Sequence, residues 1–227
     1  MEYPVRVIAH IETDFEDKFG VPRQSSLVES LCGRIVFEPE YRVAEAFRGL
    51  EQFDRIWLIW QFSKAMREGW SPTVRPPRLG GNERVGVFAT RSPFRPNSIG
   101  LSCVKLERIG QDRSLGPVLW VRGADLVNGT PIYDIKPYLP YADSFPDARG
   151  SFGEAHKDDV LSVEIPEALL QRIPDEKRQA LRDVLAHDPR PAYQSDPERV
   201  YGMRFAGFEV KFRVCGHVLT VTDLLAE

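Results

Sequence analysis

Cysteine is scarce. Only Cys32, Cys103 and Cys215 occur in 227 residues, far apart and with no C-x-x-C pair. That argues against a disulfide framework and fits a reducing compartment, so a cytoplasmic location is expected. The four histidines, His10, His156, His187 and His217, show no metal-ligand spacing, and no metal is expected. Long apolar runs are missing too. The longest, residues 56–60, is far too short to cross a bilayer, so no membrane partner is expected. Met1-Glu2-Tyr3-Pro4 lacks the basic start and apolar stretch of a secretory leader. The familiar catalytic signatures are also absent: G-x-S-x-G, the P-loop, H-E-x-x-H and G-x-G-x-x-G do not occur. A Rossmann-type nucleotide site and an ordinary hydrolase therefore find no support.

Net charge is small, −3, so the molecule as a whole does not attract nucleic acid. Its distribution is uneven. Residues 67–95 contain six arginines (Arg67, Arg75, Arg78, Arg84, Arg91 and Arg95), no lysine, and only Glu68 and Glu83 as acids. Such a patch can bind phosphate on an acidic protein, and arginine over lysine at every position favours planar or phosphate recognition. The same composition also suits a solvated loop.

Within this stretch lies Arg91-Ser92-Pro93-Phe94-Arg95-Pro96-Asn97-Ser98-Ile99-Gly100-Leu101. Two prolines fix φ and bias the preceding residues toward extended geometry, so a helix is not expected. From Leu101 the pattern alternates, with Val104 and Leu106 on one face and Lys105 and Glu107 on the other. A strand over residues 85–90 precedes it. The segment therefore predicts a rigid loop between two strands, holding two guanidiniums and an amide.

Elsewhere the chain predicts strands over residues 5–11, 33–37 and 117–121. Residues 53–62 predict a strand apolar on both faces, central or inside a barrel. Residues 41–50 place Val43, Ala46, Phe47 and Leu50 at helical spacing and predict a short amphipathic helix. Asn128-Gly129 marks a turn. In the extended run 134–140, Asp134, Lys136 and Tyr138 share one face, either the wall of a polar site or an edge strand facing water. Residues 142–158 are polar, with Pro146, Gly150 and Gly153. Beyond them come a strand over 160–165, a helix over 175–186 after Pro174, and a stiff loop over 187–193. A hairpin follows, turned at 215–217. Strands outnumber helices before residue 145 and no β-α-β alternation occurs. The expected architecture is mainly β: a barrel-like N-terminal domain over 1–145, a linker over 146–159, and a small α+β domain over 160–227. The rigid polar loops make it a ligand-binding domain suited to an anionic polymer.

Several long motifs carry a resemblance. Val21-Pro22-Arg23-Gln24, Trp70-Ser71-Pro72-Thr73-Val74-Arg75-Pro76-Pro77-Arg78-Leu79-Gly80-Gly81-Asn82, Val87-Phe88-Ala89-Thr90-Arg91-Ser92 and Phe94-Arg95-Pro96-Asn97 resemble the TsaA-like β-barrel domain. Gly129-Thr130-Pro131 and Asp134-Ile135-Lys136-Pro137-Tyr138-Leu139-Pro140 extend the match. Asp188-Pro189-Arg190-Pro191-Ala192-Tyr193 matches the tail of two-domain bacterial members. Over nearly its whole length the chain is similar to the TrmO family, also called YaeB.

That resemblance implies an S-adenosylmethionine-dependent tRNA methyltransferase. It would methylate N6 of threonylcarbamoyladenosine beside the anticodon, bind the cofactor on a β-barrel and act as a homodimer. It implies cofactor contacts from Pro22, Arg23, Gln24, Ser63, Lys64, Arg91, Leu101, Asp125, Leu126, Val127 and Asn128. It implies catalytic or acceptor-side roles for Arg95, Asn97, Asp134, Lys136 and Tyr138. Ser63 stands where many relatives have histidine, so only backbone contact carries over there. Ser98 stands where proline is usual, which loosens one turn. In the tail, Arg190 and Tyr193 are expected to contact tRNA, unless Arg190 pairs with Asp188 as a structural strut. The alternative for the whole chain is a non-catalytic S-adenosylmethionine- or RNA-binding module of the same fold.

Overall fold

The structure, a computed structural model, describes residues 3–64, 69–76, 79, 83–150, 159–190, 194 and 196–226. The chain divides into two compact units. One comprises Met1–Asp14, Arg23–Met66 and Asn97–Ser144; the other comprises Phe15–Pro22, Arg67–Pro96 and Phe145–Glu227.

The first unit is a closed six-stranded antiparallel barrel. Its strands are β1 (Ala9–Glu12), β2 (Cys32–Phe37), β3 (Arg55–Gln61), β6 (Ile99–Asp112), β7 (Gly116–Arg122) and β8 (Thr130–Pro137), in the order β1-β2-β7-β6-β3-β8. Closure removes every sheet edge except where strands fall out of register. Period-two alternation sets which face each residue takes. Ile56, Leu58 and Trp60 point inward from β3, and Gly100, Ser102, Val104 and Leu106 from β6. With Ala9, Ile11, Ile35, Phe37, Leu119, Val121 and Ile132 they fill the interior. Truncating one of the fully buried members, such as Leu58, to Ala costs about 2–5 kcal/mol.

The predicted helix over 41–50 does not form. Three 3-10 turns, Pro39–Tyr41, Ala44–Phe47 and Leu50–Gln52, replace it. Val43 and Arg48 are extended, and Gly49 sits at φ +88, so helical hydrogen bonding cannot propagate. The strand predicted over 85–90 is also shorter. Only Val85–Gly86 (β5) pairs, with Thr73–Val74 (β4), before Val87–Ala89 winds into a 3-10 turn.

The second unit holds a four-stranded sheet ordered β10 (Tyr201–Phe205), β11 (Phe208–Cys215), β12 (Val218–Ala226) and β9 (Ser162–Glu164), with β9 parallel to β12. A helix, α3 (Asp175–Ala186), follows the short α2 (Glu167–Leu170); another short one, α1 (Pro140–Asp143), belongs to the first unit. Helix α3 buries Ala180, Leu181, Val184 and Leu185, the stripe its spacing predicts. Residues 15–22 belong to this unit. Phe15 meets Phe205 edge-on at 5.5 Å, Phe19 stacks with Phe212 at 6.4 Å, and Gly20 abuts Met203 where a Cβ would collide with its sulfur. Among the described residues, no helix is long and apolar enough to cross a membrane, and no group of three His, Cys, Asp or Glu is placed to hold a metal ion.

Candidate functional site

Antiparallel connectivity puts the ends of β1 and β3 at the same end of the barrel as the starts of β2, β6 and β8. Three connections leave that end: residues 13–31, 62–98 and 123–129. Apart from Leu101, at the start of β6, Asp134 and Lys136 on β8, and Tyr138 just past it, every expected cofactor or acceptor-side residue falls in one of these connections. Loops on a rigid scaffold are where binding groups concentrate.

A gap in the barrel wall supplies the first feature of the site. β6 pairs with β3 over Ile99–Lys105 but is joined by β7 only from Lys105 onward. Cys103 shows which way the backbone points there: its N–H donates to Ser25 Oγ at 3.1 Å, and its carbonyl accepts from Ser26 Oγ at 3.0 Å. Leu101 is two residues away in the same register phase. Its N–H and C=O therefore face away from β3, along the same edge. The Leu101 side chain is 48% exposed on the outer face.

The loop carrying Arg23 and Gln24 is tied to this edge. Besides the two serine contacts, Ser26 N–H donates to Gly123 O at 2.8 Å, and Gly123 N–H donates to Leu31 O at 2.9 Å. Ser26 has φ +63, unusual for a residue with a Cβ, and a Cβ on Gly123 would lie 3.0 Å from its Cα. The 13–31 and 123–129 connections thus cross tightly beside β6.

The 123–129 connection carries Asp125–Asn128 along the gap. Ser102 Oγ, fully buried, donates to Asp125 Oδ1 at 2.6 Å and accepts the Trp60 indole N–H at 2.9 Å. Leu126 and Val127 are buried, which anchors the backbone between the two polar residues, Asp125 and Asn128. Thr13 closes the other flank: its hydroxyl donates to Leu126 O at 3.0 Å and its N–H to Asn128 Oδ1 at 3.2 Å. Gly129, at φ +75, turns the chain into β8.

The structure thus brings Arg23, Gln24, Leu101, Asp125, Leu126, Val127 and Asn128 to one neighbourhood. Ser63 and Lys64 are exposed just past β3, and Asn97 and Ser98 run beside them, with Phe62 N–H donating to Ser98 O at 3.0 Å. Asp134 occupies the same outer row as Leu101, because Ile59 pairs with both. Two strand spacings separate them, about 10 Å. Asp134 makes an ion pair with Lys136 at 2.9 Å. Tyr138 lies at the other end of β8: its N–H bonds Arg55 O, and six residues of β3, about 20 Å, separate Arg55 from Gln61. Its ring meets Trp57 at 5.8 Å. Pro22, Arg91 and Arg95 belong to the second unit. There Arg95 donates to Thr90 O at 2.9 Å.

In the tail, Arg190 is held by a two-pronged pair with Asp188, both bonds 2.9 Å, and its side chain is only 12% exposed. The Asp188 carboxylate beside it raises the guanidinium's pKa. Asp188 itself sits at φ +49. Tyr193 lies outside the described residues.

Sequence reasoning missed Ser102, Trp60, Ser25, Ser26 and Thr13. Ser102 left a signal: it is a polar residue in the inward phase of an otherwise apolar alternation.

The chain matches the family described as the tRNA-methyltransferase O N-terminal domain over residues 10–144, and the TrmO C-terminal domain over residues 159–227. It is 44% identical to a protein of Escherichia coli named tRNA (adenine(37)-N6)-methyltransferase, over 91% of each chain. It is 41% identical, over 92% of each chain, to a Pseudomonas aeruginosa protein named putative S-adenosylmethionine-dependent methyltransferase RcsF. A crystal structure titled as TrmO from Pseudomonas aeruginosa matches at a TM-score of 0.79 and 33% identity, covering 100% of both chains. The chain belongs to the TrmO family of tRNA methyltransferases.

Proposed function

We propose that this chain transfers a methyl group from S-adenosylmethionine to N6 of the adenosine beside the tRNA anticodon, at the stage where that base already carries a threonylcarbamoyl group. The observation that carries the reading is the barrel gap: an open backbone edge at Leu101 beside a carboxylate, Asp125, aimed by a fully buried serine, in a chain of this family. An edge offering N–H and C=O side by side suits a nucleobase, and a fixed carboxylate suits ribose hydroxyls or a sulfonium. These residues therefore fit the cofactor.

When bound, S-adenosylmethionine supplies an activated methyl on a sulfonium centre. The protein's own work is orientation and proton handling. Leu101 and Leu126 backbone groups would hold the adenine edge. Asp125 would hold the ribose or offset the positive charge. Arg23, Gln24, Ser63, Lys64, Val127 and Asn128 would hold the rest of the cofactor, and the family pattern assigns further contacts to Pro22 and Arg91. On the acceptor side, Arg95 offers a planar fork to the threonyl carboxylate and Asn97 hydrogen-bonds the base. Asp134 would accept the proton that N6 gives up when it gains the methyl released from sulfur, with Lys136 holding that carboxylate in place. Tyr138 acts through β8, fixing its far end against Trp57. The enzyme works in the cytoplasm as a homodimer, with residues 1–145 as catalytic barrel and 160–227 as a tRNA-binding tail.

The experiment compares tRNA with and without the threonylcarbamoyl group in a purified methylation assay. Methylation confined to the modified tRNA supports the assignment. Equal methylation of both contradicts it.

A further inference from the structure

The arginine-rich excursion carries a feature that the proposed cofactor and acceptor contacts leave unused. Trp70 and Phe88 stack on each other, with centroids 6.3 Å apart and planes 24° from parallel. Both face solvent: Trp70 is 51% exposed and Phe88 73%. Burying such rings is worth a great deal, so two of them held together in water mark an interaction surface.

The backbone beneath them is pinned. Ser71 N–H donates to Phe94 O and Val87 N–H to Pro72 O, both at 3.0 Å, and β4 pairs with β5 between the two aromatic positions. Thr90 Oγ1 caps the 3-10 turn by donating to Val87 O at 2.8 Å. Val87 is buried, so the turn drives Phe88 outward. The platform is therefore preformed and costs little ordering entropy on binding.

Its surroundings select the partner. Among the described residues of the 69–96 stretch, Glu83 is the only acid, against Arg75, Arg84, Arg91 and Arg95. Arg75 and Arg84 are exposed, and Arg84 is steadied by Thr73 Oγ1 at 2.8 Å. Aromatic faces set among guanidiniums match a single-stranded nucleic acid, whose bases stack while its phosphates pair with the cations.

We propose that Trp70 and Phe88 form a stacking platform for an unpaired base of the tRNA loop that carries the target adenosine, with Arg75 and Arg84 on the flanking phosphates. The platform fixes the register of the loop, and so which adenosine is presented. The proposal rests on the tRNA reading above and adds the surface that selects the loop.

The test uses the full chain and modified tRNA. Trp70→Ala and Phe88→Ala should each raise KM for tRNA about tenfold, leaving kcat at saturation, S-adenosylmethionine affinity and sedimentation unchanged. Phe88→Tyr should behave as wild type, whereas Phe88→Leu, apolar but without a π face, should behave as Phe88→Ala. An anticodon stem-loop carrying 2-aminopurine next to the target adenosine should be quenched by wild type and not by the double alanine variant. Arg75→Ala should lower the salt dependence of binding by about one phosphate contact. An unchanged KM with unchanged quenching in the double variant overturns the platform while leaving the methyltransferase standing. A double variant that sediments as a smaller species overturns it in favour of contact with a second copy. A wild-type protein that neither binds nor methylates tRNA overturns both readings.

Discussion

Ser102 Oγ lies 2.6 Å from Asp125 Oδ1 while receiving the Trp60 indole N–H at 2.9 Å. One buried hydroxyl thus satisfies a buried donor and aims a carboxylate at the barrel gap. Ser102→Ala strands the indole N–H and removes one of the bonds that orient Asp125. The variant should lose about 1–3 kcal/mol of stability in urea unfolding. It should also bind S-adenosylmethionine about tenfold more weakly by calorimetry. Wild-type affinity in a folded Ser102→Ala protein would remove Asp125 orientation from the account.

Gly100 faces the same indole. A Cβ there would lie 2.3 Å from Trp60 Cε2, and the ring is walled in by the barrel core. Gly100→Ala should therefore destabilise by about 1–3 kcal/mol through overpacking, read as a lowered thermal midpoint. A midpoint equal to wild type would mean that Trp60 has room to move.

Acid should loosen the outer face of β3. Asp143 Oδ2 accepts from Trp57 Nε1 and from Leu139 N–H, both at 2.9 Å, and these donors hold its carboxyl below the usual value of 3.8. Because the folded pKa is depressed, the stabilisation is fully present above that usual value and is lost as pH falls through the lower folded pKa. The Trp57 indole N–H resonance should stay constant from neutral pH down to about 4 and then shift on further acidification. Asp143→Asn should abolish that titration. A Trp57 resonance that titrates near neutral pH would contradict this pairing.

Burial pushes the Cys103 thiol up, whereas Cys215 is exposed at the end of β11. Since the thiolate is the nucleophile, iodoacetamide at neutral pH should label Cys215 well before Cys103, as peptide mapping would read directly. Faster labelling of Cys103 would mean that its face is more open than described.

Much of the fold was legible because strands with one buried face announce themselves by alternation. Val104 and Leu106 point inward and Lys105 and Glu107 outward, as the pattern of β6 requires. The helix over Asp175–Ala186 likewise follows from one stripe of four residues. The stretch over 41–50 misled for a physical reason. Val43, Phe47 and Leu50 have helical spacing, but the left-handed Gly49 and extended Arg48 break the hydrogen-bond ladder. β10 carried its own signal in Tyr201, Met203 and Phe205, all buried on alternate positions. The polar loops of the candidate site could be found because proline and glycine stiffen them. Ser102 and Thr13 were not found, because their importance depends on contacts more than 20 residues away in the chain. Asp134 and Lys136 do share an outer face, but sequence could not reveal that they pair with each other.

The most direct test of the central claim follows the methyl group itself. Purified protein is incubated with S-adenosylmethionine carrying a deuterated methyl and with tRNA bearing the threonylcarbamoyl group, and the digested nucleosides are analysed by mass spectrometry. The account predicts one deuterated methyl on the base of threonylcarbamoyladenosine, at N6. Label on a ribose, on another nucleoside, or on none would contradict it.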